Sequence, residues 1–233
     1  MEPKMYGIEH ILYLIITTAL AVSSILLVKK YVKTEKGQKI YLKILGALLL
    51  IFILANRLSQ VFCWGGADYK AIIPNSFCGM TSLVLSIGVI FGKKDNIVLH
   101  FAWLLGIFGG ISTVVYPTFV GQNSSFFFLP TITGLLHHSI SATTVVALLI
   151  FRYVDVSYKK WYAPLFGLTA YMTVGAFLMG VMGESDAFHI VEPLISGTPF
   201  TAWVMAPIYF VSHGLIFIAI EFFRKRKTIS KSQ

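Results

Sequence analysis

The sequence predicts an all-α fold: a single polytopic membrane bundle of seven transmembrane helices, N-terminus outside and C-terminus cytoplasmic. Three observations predict it. The first is composition: 56% of the 233 residues are apolar and only 12% are charged, about half the ~25% charged share of globular domains. A soluble chain of this size with so few charges could not cover its own surface. The second is a series of seven apolar runs, each near the ~17–25 residues that a helix needs to cross a hydrocarbon core. The third is the placement of the basic residues, which alternate between the two sides of those runs.

The expected spans are 8–28, 41–63, 74–92, 97–119, 126–151, 161–182 and 200–223, all within one membrane domain covering 1–233. None alternates apolar with polar residues at period two, so none reads as a strand. The third is short and rich in Ser, Thr and Gly. Lys29, Lys30, Lys33, Lys36, Lys39 and Lys43 lie between the first two spans, Lys93 and Lys94 between the third and fourth, and Arg152, Lys159 and Lys160 between the fifth and sixth. Arg224, Lys225, Arg226, Lys227 and Lys231 follow the seventh. The other side carries only Lys4 and Lys70, with Glu2, Glu9, Asp68, Glu184, Asp186 and Glu192. Positive charge concentrates in cytoplasmic loops, and only an odd number of spans puts every basic loop on that side. The net charge of +9 therefore suits an anionic membrane surface and not nucleic acid. The N-terminus lacks a basic n-region and a small-residue cleavage site, so the first span is expected to be an uncleaved anchor.

Polar residues inside the spans are the functional candidates, because an ionisable group there costs ~2.5–3.5 kcal/mol even on insertion scales. Arg57 follows Asn56 and precedes Gln60 by three residues, in the outer half of the second span. Arg57 and Gln60 share a helical face. Such a face is expected to form either a polar pocket for phosphate or carboxylate or a clamp between helices. His137 and His138 sit near the middle of the fifth span. Adjacent helical positions diverge by about 100°, so one faces a given pocket and the other bonds a neighbour. Cys78 lies just inside the third span, after Pro74, Asn75 and Ser76, residues suited to open and cap a helix. Near a helix N-terminus a thiol is a candidate nucleophile with a His as base. Two other readings of Cys78 stand beside this: a small packing residue, or a disulfide with Cys63.

His10 opens the first span beside Glu9 and reads as an interfacial polar residue. His213 lies inside the seventh span, where it can reach the same interior. His100 begins the fourth span near the cytoplasmic face, and His189 falls in the acidic outer loop. No metal-ligand spacing, Walker loop, dinucleotide fingerprint or Ser nucleophile elbow occurs, so neither metal nor cofactor is expected.

In order along the chain, these features resemble the YwaF-like bacterial integral membrane family, to which the animal transmembrane protein 164 acyltransferases are similar. The matching pieces are His10 within Gly-Ile-Glu-His-Ile-Leu, the Pro74 to Cys78 entrance, Val115-Tyr116-Pro117, His137-His138-Ser139, and Ala176-Phe177-Leu178-Met179 before a polar loop with Pro193 and Pro199. The resemblance implies a phospholipid acyltransferase or lipid hydrolase of the bacterial plasma membrane, working through an acyl-cysteine. It assigns Cys78 as nucleophile and His138 as base, with His137 as the alternative. By chemistry, Arg57 and Asn56 are then expected to hold lipid phosphate or an oxyanion, with Gln60, His213 and His10 lining the pocket and membrane lipids as partners. One departure is that an Asn-aromatic pair expected before Phe177 reads Gly175-Ala176 here.

One geometric obstacle stands against the pairing. If Pro74 and Pro130 each open a helix, Cys78 and His138 differ in depth by about 6 Å at 1.5 Å per residue, beyond hydrogen-bond reach. The competing functions are a small-molecule transporter, disfavoured by the lack of an internal repeat, and a non-catalytic membrane partner whose buried polar residues only fix packing.

Overall fold

The computed structural model describes residues 6–63, 69–117 and 125–229, with side chains through residue 223. Lys4, Glu2, Asp68, Arg224, Lys225, Arg226, Lys227, Lys231 and the expected end of the fourth span at Phe119 lie outside the described residues or side chains. Among the described residues there are seven α-helices and no strand: α1 (Ile8–Tyr31), α2 (Glu35–Cys63), α3 (Phe77–Ile90), α4 (Ile97–Val115), α5 (Leu129–Ile150), α6 (Tyr162–Gly180) and α7 (Ala202–Ile229). Six are long and apolar enough to cross a membrane.

The third expected span is the exception. α3 has 14 residues, about 21 Å of helix at 1.5 Å per residue, less than a hydrocarbon core of ~30 Å. Pro74 has no N–H to extend the helix backwards, and Ser76 caps it, its side chain accepting from the Gly79 amide at 3.2 Å. Conversely, α2 begins six residues before the expected span. Thr34 caps it by accepting from the Gly37 amide at 3.2 Å, so helix continues beyond the apolar stretch.

α3 is the buried centre of the bundle, packed against α2, α4 and α5, while α6 packs on α4, and α1 and α7 are peripheral. Large apolar side chains point outward, as at Ile8, Leu20 and Phe223, where lipid is their solvent. Polar groups point inward and tie helices together. Tyr13 bonds Ser139 (2.7 Å), Ser24 bonds Tyr41 (2.8 Å), and Thr81 bonds Tyr171 (3.0 Å). Such bonds average ~0.6 kcal/mol each in lipid, so the bundle rests on several of them together with close packing.

That packing depends on glycine. Gly106 and Gly110 stand one turn apart on α4, a small-xxx-small spacing that lets helix backbones approach. A Cβ on Gly106 would lie 3.0 Å from Val145 and 3.3 Å from Leu85, and one on Gly110 would lie 2.7 Å from the His138 carbonyl oxygen. α4 thus meets α5 backbone to backbone. On its other side, the Phe101 ring covers Gly167 of α6.

At the ends of α3 and α5, Asp95 joins two loops. Its carboxylate accepts from the Asp155 amide at 2.8 Å and from His100 Nε2 at 2.6 Å, with Lys160 Nζ 3.6 Å away. Partial burial pushes this carboxyl up, but the Asp155 amide, His100 and Lys160 outweigh it and hold it below its ordinary 3.8. The folded value is thus the lower one, so its stabilisation is complete above pH 3.8 and fades as pH falls through the folded value. Replacing Asp95 by Asn is expected to lower the melting midpoint in micelles at pH 7 by about 2–4 °C, a contribution near ~1 kcal/mol for a partly screened group. The gap between parent and variant closes below pH 3.8. A gap unchanged down to pH 3 sinks this account.

Candidate functional site

α3 begins deep because of what lies above it. The segment between α6 and α7, residues 181–201, returns over the bundle as a strap. Its Phe188 amide donates to the Asn75 carbonyl at 2.7 Å, and the Ala202 amide donates to the His189 carbonyl at 2.6 Å. Phe188 is buried, with its ring stacked on Tyr171 (centroids 5.6 Å) and edge-on to Phe77 (5.4 Å). Gly175 makes this seat available: a Cβ there would come within 2.7 Å of Ile190 and 2.9 Å of Phe188. The Gly175-Ala176 departure from the expected family pattern is therefore where the strap docks. Phe188 and His189 both hold φ near +56°, a left-handed conformation that costs non-glycine residues about 1–3 kcal/mol each.

Below the strap, Cys78 and His138 line one cavity of ≈ 420 Å³, within the ~300–1,000 Å³ usual for small-molecule sites. Its wall also includes Ser76, Gly109, Thr113, Leu168, His189 and Tyr209. Cys78 and His138 both line this wall despite the offset in depth expected from the prolines. Adjacent glycines of α4 place both residues. The Cys78 sulfur lies only 2.7 Å from where a Gly109 Cβ would stand, and the His138 carbonyl oxygen lies 2.7 Å from where a Gly110 Cβ would stand.

The two histidines divide as adjacent helical positions must. His137 Nδ1 bonds Ser82 Oγ of α3 at 3.1 Å, outside the cavity wall, with the two imidazoles 4.2 Å apart. Cys63 and Cys78 are both free thiols, so the disulfide alternative is not formed.

The residues expected to bind substrate stand elsewhere. Asn56 donates to the Pro130 carbonyl (3.0 Å) and to Thr133 (3.3 Å), and its own oxygen accepts from Arg57 Nη2 at 2.8 Å. It is a clamp between α2 and α5. Arg57 is half-buried, and its Nε has no partner. Gln60 is half-buried one turn further along α2. His10 is also a clamp: it accepts from the Tyr6 amide at Nδ1 (3.2 Å), which makes Nε2 the donor to the Val114 carbonyl (2.8 Å). His213 accepts from the Trp103 indole at 3.1 Å and packs among Trp103, Tyr209 and Phe217. None of these five belongs to the wall shared by Cys78 and His138. The sequence reading did not assign Gly109 or His189 to that site. Gly109 was detectable beside the Gly106–Gly110 spacing, whereas His189 sat in a loop with no periodic signal.

Among the described residues no cluster of three or more His, Cys, Asp or Glu could hold a metal.

Because the Cys78 sulfur fills the space beside Gly109, adding a methyl group there overpacks the site. Gly109→Ala is expected to cost about 1–3 kcal/mol and to slow alkylation of Cys78 by a small maleimide at least about tenfold. Gly180→Ala, where nothing lies within 4 Å, should stay within about 0.5 kcal/mol of the parent. Equal melting curves and equal labelling for the two variants would rule the contact out.

No curated protein and no solved structure matches the chain. A family model matches residues 5–223, almost its whole length and including every residue of the cavity wall. This multi-pass membrane protein belongs to the TMEM164 family.

Proposed function

We propose that this protein transfers acyl chains of membrane phospholipids through a thioester on Cys78, with His138 as the base. The observation that carries the reading is the convergence of a free thiol and an imidazole from different helices on one cavity, beside adjacent glycines of α4. The family membership supports it, since the resemblance drawn from the sequence implies cysteine-dependent acyl transfer. The distribution of loop lysines and arginines supports an N-terminus outside and a C-terminus in the cytoplasm of a cell membrane. The cavity then opens toward the outer leaflet.

The chemistry follows from the groups on the wall. The Cys78 sulfur attacks the ester carbonyl carbon of a lipid, forming the S–C bond as the C–O bond to glycerol breaks. The thiol proton passes through His138 to the departing glycerol oxygen. A lysolipid hydroxyl, or water, then attacks the thioester carbon, and its proton returns through His138 to sulfur as the S–C bond breaks. A neutral imidazole carries one acceptor nitrogen, which serves this duty. Negative charge developing on the carbonyl oxygen is met by the amides of Phe77 and Cys78 in the first turn of α3, which have no helical acceptor. His137 acts by fixing α5 against α3, and Arg57 with Asn56 acts as a brace between α2 and α5.

The test is mass spectrometry of the purified full chain after incubation with a neutral acyl thioester of N-acetylcysteamine. One acyl mass is expected on Cys78, released by hydroxylamine. Cys78→Ser should lose the hydroxylamine-sensitive adduct, His138→Ala should slow its formation by about 10²–10⁴-fold, and His137→Ala by less than about tenfold. An acyl group on Cys63, or full turnover of phospholipid by Cys78→Ser, refutes the thiol mechanism.

A further inference from the structure

The cavity has a second imidazole that the acyl-transfer chemistry does not use. His189 comes from the strap, not from a membrane helix, and reaches the same wall as Cys78 and His138. Its position is built rather than incidental. The residue before it is the buried Phe188 knob seated against Gly175, its own carbonyl accepts from the first residue of α7, and its backbone is held at φ +57°. Asp186 completes the arrangement: Oδ1 accepts from the Val191 amide at 3.0 Å, and Oδ2 lies 4.0 Å from His189 Nδ1. The Asp186 carboxylate is thus tied to the strap and faces one nitrogen of the ring. Among the described residues, Nε2 has no hydrogen-bond partner.

We propose that His189, oriented by Asp186, is the polar-head recognition residue of this cavity, donating a hydrogen bond to a phosphate oxygen of a glycerophospholipid. The proposal rests on the reading of the cavity as a phospholipid site. Three facts point to an anionic head group. In its imidazolium form the ring donates from both nitrogens, so Nε2–H can meet a phosphate oxygen while Nδ1–H faces Asp186. Much of the rest of the wall is apolar, with Leu168, Leu194 and Met205, so a donor on the strap gives a lipid a preferred orientation. Finally, of the groups expected to take phosphate, Asn56 is consumed by Pro130, Thr133 and Arg57, and Arg57 stands outside this wall. His189 is therefore a specificity residue and not a catalytic base: the thiol already shares this wall with His138 of α5.

The test is direct binding by the full chain in detergent, with two ether-linked probes that cannot be cleaved. One is an alkyl lysophosphatidylcholine, and the other is the matching alkylglycerol without phosphate. The parent is expected to bind the phosphate probe at least about tenfold more tightly. His189→Ala should lose about tenfold on the phosphate probe with little change on the alkylglycerol, and His189→Gln, which keeps a donor, should recover most of it. Asp186→Asn should fall between the two. A parent without preference, an equal loss for both probes, or an unchanged phosphate affinity in His189→Ala overturns the assignment. Acylation of Cys78 by the neutral thioester is measured separately on the parent. Failure of the thiol reading is therefore distinguishable from failure of this one.

Discussion

The contact between the α4 backbone and its neighbours at Gly109 and Gly110 is the constraint on which the site depends. In lipid there is no hydrophobic drive between helices, so close packing and interhelical hydrogen bonds must hold the bundle. At Gly110 the absent side chain lets α5 come close enough for the His138 carbonyl to lie where a Cβ would be. One residue earlier, the same absence receives the Cys78 sulfur from α3. A thiol and an imidazole from separate helices therefore share a wall because α4 has nothing between them. Any larger residue at either position separates the pair before it affects the chemistry.

Around this contact the buried polar residues fall into two kinds. Asn56, His10, His137 and His213 each have partners that join one element to another, and their positions deep in the spans reflect the need to satisfy polar groups away from water. Cys78, His138 and His189 instead face open volume. The difference does not lie in residue type, since histidines occur in both groups. It lies in whether a neighbouring helix supplies a hydrogen-bond partner, as Ser82 does for His137 and Trp103 for His213.

The strap is the other organising element. A 14-residue helix leaves space at its N-terminal end, and the Phe188 knob fills it, with the Asn75 carbonyl satisfied by the strap's own backbone. The energetic cost of two left-handed residues is offset by burial of Phe188 against Tyr171 and Phe77. Gly175 is the complementary hole on α6. A side chain there would meet Ile190 and Phe188, so the docked strap requires glycine.

Much of this protein was legible in the sequence because lipid imposes strong one-dimensional rules. Helix number, approximate boundaries and the helical class follow from run length and from the need to satisfy every backbone group. The candidate thiol and imidazoles stand out because polar groups are costly in apolar spans. Tertiary structure alone decided the rest. Whether Asn56 binds a ligand or Pro130, which of two adjacent histidines meets the cavity, and how deep α3 begins all depend on groups distant in the chain. His189 shows the limit best: a loop residue carries no period, and only the docking of Phe188 against Gly175 brings it to the wall with Cys78. Local sequence determined which residues could do chemistry, and packing around two glycines of α4 decided which of them meet.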